Sequence, residues 1–185
     1  LDVAWSDVSL RHGEPWFDAG DGPRRAGFGI IAYGKLGGME LSYGSDLDLV
    51  FLHDSQGNGQ QTNGERSVEN SVFFARLVRR LVHFLTTQTG SGVLYQVDTR
   101  LRPDGQSGLL VTSVEAFERY QEANAWTWEH QALLRSRPVA GSATVARDFE
   151  RVRSGTLRHR IRRDQLLTDV LTMRRKMRKQ LDKST

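Results

Sequence analysis

The chain has 185 residues, of which 38% are hydrophobic and 26% charged, and it contains no cysteine. This length suits one domain with a sizeable core, and the lack of cysteine excludes disulfides and thiolate chemistry. No apolar run reaches the length of a membrane span, no signal peptide opens the chain, and the five histidines lack the spacing of zinc ligands. We therefore expect a cytoplasmic protein with no membrane partner, and a fragment of something longer.

Positive charge is concentrated at the C-terminal end. Residues 147–185 hold 13 Lys or Arg against 5 Asp or Glu, whereas the first 146 residues hold 13 basic and 17 acidic side chains. This asymmetry indicates a mildly acidic body followed by a basic segment. We expect three parts, namely a lead-in and loop at 1–26, a core at 27–146 and a basic helical extension at 147–185.

The alternation of apolar runs and helical spacing predicts a small mixed sheet. In chain order we predict a loop at 13–26, strands at 27–34 and 47–54, a loop at 55–67, a helix at 68–90, a strand at 93–103, a helix at 113–124, a strand at 132–141 and basic helices over 142–183. The first long helix carries its apolar side chains at helical spacing: Phe73, Leu77, Leu81, Phe84 and Leu85. Gly90 is expected to end it, and Ser113 to cap the next helix. The expected fold is α/β (α+β), with helices flanking the sheet.

Two aspartates begin the second predicted strand. Asp46 and Asp48 are two residues apart, so their carboxylates project from one face of the strand, about 6.6–7 Å apart along it. Carboxylates this close repel each other unless cations neutralise them. Mg²⁺ typically takes one or two carboxylates plus substrate phosphates, and a pair of such ions can assist an in-line displacement.

A third carboxylate is expected on a neighbouring strand, and Asp98 is the candidate. In a strand at 93–103, Asp98, Arg100 and Arg102 would share one face. Guanidinium groups beside an acid suit a triphosphate held over metal ions. Each arginine taken alone is more often part of a structural ion pair than a ligand.

A glycine pair lies just upstream of the aspartates. The backbone N–H groups of Gly37 and Gly38 could form an anion-binding nest for phosphate. Lys35 could add a point charge and Ser45 a hydroxyl, although a solvated surface role fits Lys35 as well. The order of residues is not that of a P-loop.

Three blocks of the sequence together resemble a known family. "GKLGGMELSYGSDLDLVFLHD" at 34–54, "GVLYQVDTRLRPDGQSGLLVTS" at 92–113 and "ANAWTWEHQALLRSRPVAG" at 123–141 are similar to the bacterial glutamine synthetase adenylyltransferases. These belong to the polymerase-beta-like nucleotidyltransferase superfamily. The resemblance covers about 27 to 180, so it implies a nucleotidyltransferase catalytic core.

The resemblance implies an activity and a site. Family enzymes carry two such domains, one that removes AMP from glutamine synthetase by phosphorolysis and one that attaches AMP from ATP to a tyrosine. The blocks here look more like the second, C-terminal domain, with the first as the alternative. The implied site carries two Mg²⁺ ions (or Mn²⁺) on Asp46, Asp48 and Asp98. Gly38 departs from the superfamily's glycine–serine motif, which removes one hydroxyl from the phosphate site.

The resemblance also implies partners. Glutamine synthetase is the expected protein substrate, and a regulatory signal protein of nitrogen metabolism is expected to act through the full-length enzyme. A nucleic-acid-binding module using the basic C-terminal segment is a distant alternative, which predicts binding that weakens steeply with salt. Because that segment lacks interleaved aromatic residues and the body is acidic, we expect no nucleic-acid partner.

Overall fold

In a computed structural model, the chain is built on a five-stranded sheet. The structure describes residues 1–57, 60–90 and 92–159, together with 167–168, 170–172 and 174–175. The elements are α1 (Asp2–His12), β1 (Trp16–Asp18), β2 (Pro23–Arg25), β3 (Phe28–Ala32), α2 (Gly34–Gly37), β4 (Leu47–His53), α3 (Asn70–Thr86), β5 (Gln88–Thr89), β6 (Gly92–Val93), β7 (Val97–Asp98), β8 (Val111–Ser113), α4 (Val114–Ala123), α5 (Thr127–Ala132), β9 (Arg137–Gly141) and α6 (Ala143–His159), with 3-10 turns at Gly105–Ser107 and Leu133–Arg135.

Strand β4 is the centre of the sheet. On one side it pairs antiparallel with β3, which in turn pairs antiparallel with β9. On the other side it pairs in parallel with two short strands, β7 beside its first residues and β8 beside its last. The mixed sheet confirms the predicted α/β class and places the start of β4 beside β7.

The two faces of β4 are buried in different clusters. Leu49 and Phe51 belong to a core formed with α1 and α3, whereas Val50 and Leu52 belong to a second core formed with α4 and α6. A strand covered on both faces needs apolar residues at every position, which explains its uninterrupted apolar run. Asp48 is the exception near the start of the strand, where the cover thins out.

Several predicted elements are confirmed. The predicted strands at 27–34 and 47–54 are β3 and β4, and the predicted helix at 113–124 is α4. The Ser113 hydroxyl accepts a hydrogen bond from the backbone N–H of Ala116 at 3.1 Å, as an N-cap should. The predicted strand at 132–141 is shorter, because its first residues belong to α5 and a 3-10 turn.

The N-terminal part is more ordered than predicted. Residues 2–12 form α1, whose Trp5 ring packs edge-on against Phe73 of α3 with centroids 5.3 Å apart. The region predicted as a loop at 13–26 contains the antiparallel β1–β2 hairpin, with Phe17 buried beneath it. The loop prediction was wrong because one buried aromatic residue anchors this Gly- and Pro-rich segment.

The long helix ends earlier than predicted. α3 stops at Thr86, and the β5–β6 hairpin follows, so Gly90 lies in the hairpin rather than at the end of a helix. Phe84 is 40% exposed and lies under the guanidinium of Arg80, 4.7 Å from the ring centroid, instead of in the core. Cation–π packing accounts for the exposed position of this aromatic residue, which helical spacing alone assigned to the interior.

The C-terminal part of the core ends in α6. This helix runs continuously across the expected division at 146/147, and Val145, Phe149 and Val152 are buried in the second core. Much of the basic segment predicted to be helical to 183 lies outside the described residues. Among the described residues there is no helix with both the length and the apolar character needed to span a bilayer.

Candidate active site

Three carboxylates lie at the start of β4 and the end of β7. Asp48 is directly opposite Asp98 in the parallel register of the two strands. Val97 packs against the core that contains Leu47 and Leu49, so the alternation of side chains places Asp98 and Asp48 together on the other face. Asp46, two residues before Asp48, lies at the exposed edge of the same group.

The proximity of the three carboxylates affects the pKa of Asp48. The pKa of Asp48 is raised, first by partial burial and then by the negative charges of Asp98 and Asp46. The positive charges of Arg100 and Lys35 oppose this rise without cancelling it. Asp48 is therefore a partly buried carboxylate with two like charges close to it.

Gly34 shapes the place where the Asp48 carboxylate sits. Its φ is +56°, and a Cβ built on it would lie 2.3 Å from Oδ2 of Asp48. The backbone N–H of Tyr33 donates to the carbonyl of Asp48 at 2.9 Å, which holds the two segments together. Sequence reasoning missed this glycine, although its position directly after a buried strand was a usable signal.

Asp98 is engaged by Arg100. The Arg100 guanidinium Nε donates to both carboxylate oxygens, at 3.0 and 2.8 Å, and the Arg100 backbone N–H donates to Oδ1 at 2.8 Å. These hydrogen bonds lower the pKa of Asp98. The Arg100 side chain is 69% exposed, so solvent screens this ion pair.

Of the strand predicted at 93–103, only Val93, in the β5–β6 hairpin, and Val97–Asp98, which form β7, lie in strands. The expectation that Asp98, Arg100 and Arg102 share one face of a strand was therefore wrong. The Arg102 guanidinium donates to the carbonyls of Thr99, Gln106 and Gly108, at 2.7, 3.1 and 3.3 Å. Arg102 therefore closes the turn that follows β7, and its side chain is committed to the loop.

Gly37 and Gly38 have a different role from the one expected. Their backbone N–H groups donate to the carbonyls of Tyr33 and Gly34, at 3.0 and 2.9 Å, so they do not form a nest for phosphate. A Cβ on Gly37 would lie 2.1 Å from the carbonyl oxygen of Arg135, and one on Gly38 would lie 3.0 Å from its Nε. The pair lets α2 approach the chain around Arg135.

Arg137 also holds α2 in place, through hydrogen bonds to its carbonyl groups. Its Nε donates to the carbonyl of Gly37 and its terminal nitrogen to the carbonyl of Leu36, both at 3.2 Å. Arg135 contacts the carboxylate of Glu40. The "LLRSR" stretch thus fixes the short helix that carries Lys35.

Lys35 and Ser45 face each other beside the carboxylates. Lys35 Nζ donates to Ser45 Oγ at 3.4 Å, and the Ser42 and Ser45 hydroxyls are 2.9 Å apart. Both residues therefore lie where a negatively charged ligand of the aspartates would meet a cation and a hydroxyl.

The donor set fits a hard divalent cation. Asp46, Asp48 and Asp98 offer only carboxylate oxygens, and the unrelieved repulsion on Asp48 is what such an ion removes. Within the part of the chain that the structure describes, no three acidic or histidine side chains are close enough to hold a metal ion. The Arg100 guanidinium donates to both carboxylate oxygens of Asp98, which would have to be released before they could hold a cation.

Comparison with known proteins shows the family of the chain. A sequence model of glutamate-ammonia ligase adenylyltransferases matches residues 1–152. Proteins named bifunctional glutamine synthetase adenylyltransferase/adenylyl-removing enzyme, from Thioalkalivibrio sulfidiphilus, Hahella chejuensis and Pseudomonas aeruginosa, are 55%, 54% and 51% identical over 96%, 96% and 98% of the chain. The chain spans only 18% of the length of each of these relatives. The chain belongs to the glutamate-ammonia ligase adenylyltransferase family.

Proposed function

We propose that this chain is an adenylyltransferase domain that moves AMP from ATP to a tyrosine of glutamine synthetase and releases pyrophosphate. The observation that carries the proposal is the facing pair Asp48 and Asp98, joined by Asp46, on one face of two adjacent strands. Family membership supports the reaction class, since the relatives are named for adenylylation of glutamine synthetase. The resemblance of the "SDLDLVFLHD" and "WTWEHQALLRSR" blocks to the C-terminal domain favours the adenylylating direction.

The three aspartates would hold Mg²⁺, in two sites, with Mn²⁺ as the alternative. When bound, these ions supply Lewis-acid stabilisation of the phosphate charge and favour the ionised form of the attacking phenol, whose pKa is otherwise near 10. The protein's part is to hold the carboxylates in place, which the β4–β7 pairing does, while Gly34 leaves room for the side chain of Asp48. Catalysis then rests on positioning and electrostatic stabilisation.

The basic side chains around the aspartates bind the nucleotide. Arg100 leaves Asp98 and forks onto phosphate oxygens, where a guanidinium forms paired hydrogen bonds. Lys35 neutralises charge on the leaving pyrophosphate, and Ser45 donates its hydroxyl. The freed Asp98 accepts a hydrogen bond from the acceptor hydroxyl and orients it. Gly37, Gly38 and Arg102 act indirectly, through the shape of α2 and of the turn after β7.

The relatives are named for two opposite activities, so the deadenylylating reaction is the competing function. It would use the same carboxylates with inorganic phosphate as the nucleophile. In either case we propose a cytoplasmic enzyme of nitrogen metabolism. A regulatory signal protein would then act through the parts of the full-length enzyme that lie outside this chain.

One experiment separates the two directions. In the first incubation, unmodified glutamine synthetase is mixed with the chain and Mg²⁺-ATP; in the second, adenylylated glutamine synthetase is mixed with the chain and phosphate. The masses of the tyrosine-containing peptides are then measured by mass spectrometry. We expect AMP to be added in the first incubation and none to be removed in the second. Removal without addition would establish the competing function, and no change in either would reject both.

A further inference from the structure

The chain has four tyrosines, and their surroundings differ. Tyr33 is buried, and the hydroxyl of Tyr120 donates to the carboxylate of Glu129 at 2.9 Å. Tyr95 is 39% exposed, and a backbone hydrogen bond of 3.0 Å ties it to the end of α3. Tyr43 is fully exposed, so no described part of the chain covers its ring. Tyr43 therefore carries the phenol group that is most open to reaction.

Tyr43 lies on the turn that leads into the aspartates. The backbone N–H of Ser45 donates to the carbonyl of Ser42 at 3.1 Å, and this turn places Tyr43 shortly before Asp46. Gly44 has a φ of +74°, and a Cβ built on it would have no atom within 4 Å. The space beside Tyr43 is therefore open, so its side chain can rotate on this side without meeting a neighbour.

The same turn forms part of a cleft beside the candidate active site. Tyr43, Ser45 and Asp46 are among the residues that line this cleft of about 770 Å³, which mixes polar and apolar groups. Lys35 reaches the cleft by donating from Nζ to Ser45 Oγ at 3.4 Å. Under the proposed function these groups meet the phosphates of ATP, so the nucleotide lies at the cleft that Tyr43 lines.

We propose that Tyr43 accepts AMP from ATP bound in its own active site, an inference that rests on the proposed function. The phenol oxygen attacks the α-phosphorus and forms a P–O bond, while the bond from that phosphorus to the bridging oxygen breaks and pyrophosphate leaves. The phenol proton passes to water. The transfer is intramolecular, because a group joined to the site by a short segment has a higher effective concentration there than a second copy in solution.

Mass spectrometry tests the modification site. The chain is incubated with unmodified glutamine synthetase and Mg²⁺-ATP, and the tyrosine-containing peptides of both proteins are mapped. We expect AMP on Tyr43 in wild type and also in Tyr95→Phe, the control variant in the same cleft. Tyr43→Phe should carry no AMP itself, yet should modify glutamine synthetase at a rate within about twofold of wild type.

The two proposals fail in different ways in this experiment. AMP on glutamine synthetase but not on Tyr43 would overturn self-modification and leave the proposed function in place. AMP on a different residue of the chain would also overturn the assignment of Tyr43. AMP on neither protein would reject the proposed function and this inference with it.

A mixing experiment tests whether transfer stays within one molecule. Asp48→Ala keeps the acceptor but lacks a proposed metal ligand, whereas Tyr43→Phe keeps the site but lacks the acceptor. We expect neither variant to acquire AMP when the two are mixed with Mg²⁺-ATP. In wild type alone, the fraction modified per minute should stay constant over about a tenfold range of chain concentration. AMP on Asp48→Ala in the mixture, or a fraction that rises with concentration, would overturn the intramolecular transfer.

Discussion

The space that Gly34 leaves for the side chain of Asp48 makes the sharpest prediction. A Cβ on Gly34 would lie 2.3 Å from Oδ2 of Asp48, whereas ordinary van der Waals contact begins at 3.4 Å. Gly34→Ala must therefore move the carboxylate by about 1 Å, and a misplacement of that size can cost roughly 100-fold in rate. The positive φ adds about 1–2 kcal/mol of backbone strain, because alanine disfavours the left-handed region.

Gly20→Ala is the matched control for that strain. Gly20 has a φ of +89° and no atom within 4 Å of an added Cβ, so alanine there meets strain without a steric clash. Both variants should lose about 1–2 kcal/mol of unfolding free energy in urea titrations. AMP transfer should fall roughly 100-fold only in Gly34→Ala.

A double-mutant cycle completes the test. If Gly34 acts through the position of the Asp48 carboxylate, adding Gly34→Ala to Asp48→Ala should reduce the rate of AMP transfer no further. The reasoning is refuted if Gly34→Ala keeps more than a third of wild-type transfer, or if Gly20→Ala loses as much activity.

Three further predictions concern other residues. Burial lowers the pKa of His53 to about 4, so the folded form binds fewer protons than the unfolded form. The stability that this difference confers is present above pH 6.5, and about 3 kcal/mol of it is lost as the pH falls to 4. In urea titrations across this pH range, the free energy of unfolding should depend less steeply on pH in His53→Phe than in wild type. Arg137→Ala should lower kcat/KM for AMP transfer about tenfold, because two carbonyls of α2 lose their hydrogen bonds, and Arg137→Lys should restore part of the activity. Equal activity in wild type and both variants would exclude this positioning role. Arg100→Gln should raise the KM for ATP, because it removes the guanidinium from the phosphates, and should tighten Mn²⁺ binding, because it frees Asp98. Weaker binding of both ATP and Mn²⁺ would contradict the proposed movement of Arg100 from Asp98 to the phosphates.

The central strand and its aspartates could be predicted from sequence. An apolar run on β4 requires cover on both faces, and a period of two residues places Asp46 and Asp48 together, so both features follow from local pattern. Ser113 likewise caps α4 through a contact only three residues away. Such short-range relations leave a direct trace in the order of residues.

The rest of the site depends on distant contacts and on loop geometry that the pattern of residues does not reveal. Gly37 is small because the carbonyl of Arg135 lies against it, almost a hundred residues later in the chain. The strand ends at Asp98 because Arg100 and Arg102 fold back and bond to Asp98 and Thr99. A pattern of alternating residues does not exclude such a fold-back. Charge and spacing pointed to the three aspartates, but only the packed structure shows which of the glycines and arginines around them hold the loops.

Metal binding by the acidic cluster tests the central claim most directly. Free Mn²⁺ is measured by electron paramagnetic resonance as the ion is titrated into the chain with a nonhydrolysable ATP analogue. Wild type should bind two Mn²⁺, Asp48→Asn should weaken that binding at least tenfold, and the surface control Asp21→Asn should match wild type. Equal Mn²⁺ binding by wild type and Asp48→Asn would contradict the assignment of these aspartates as the metal ligands.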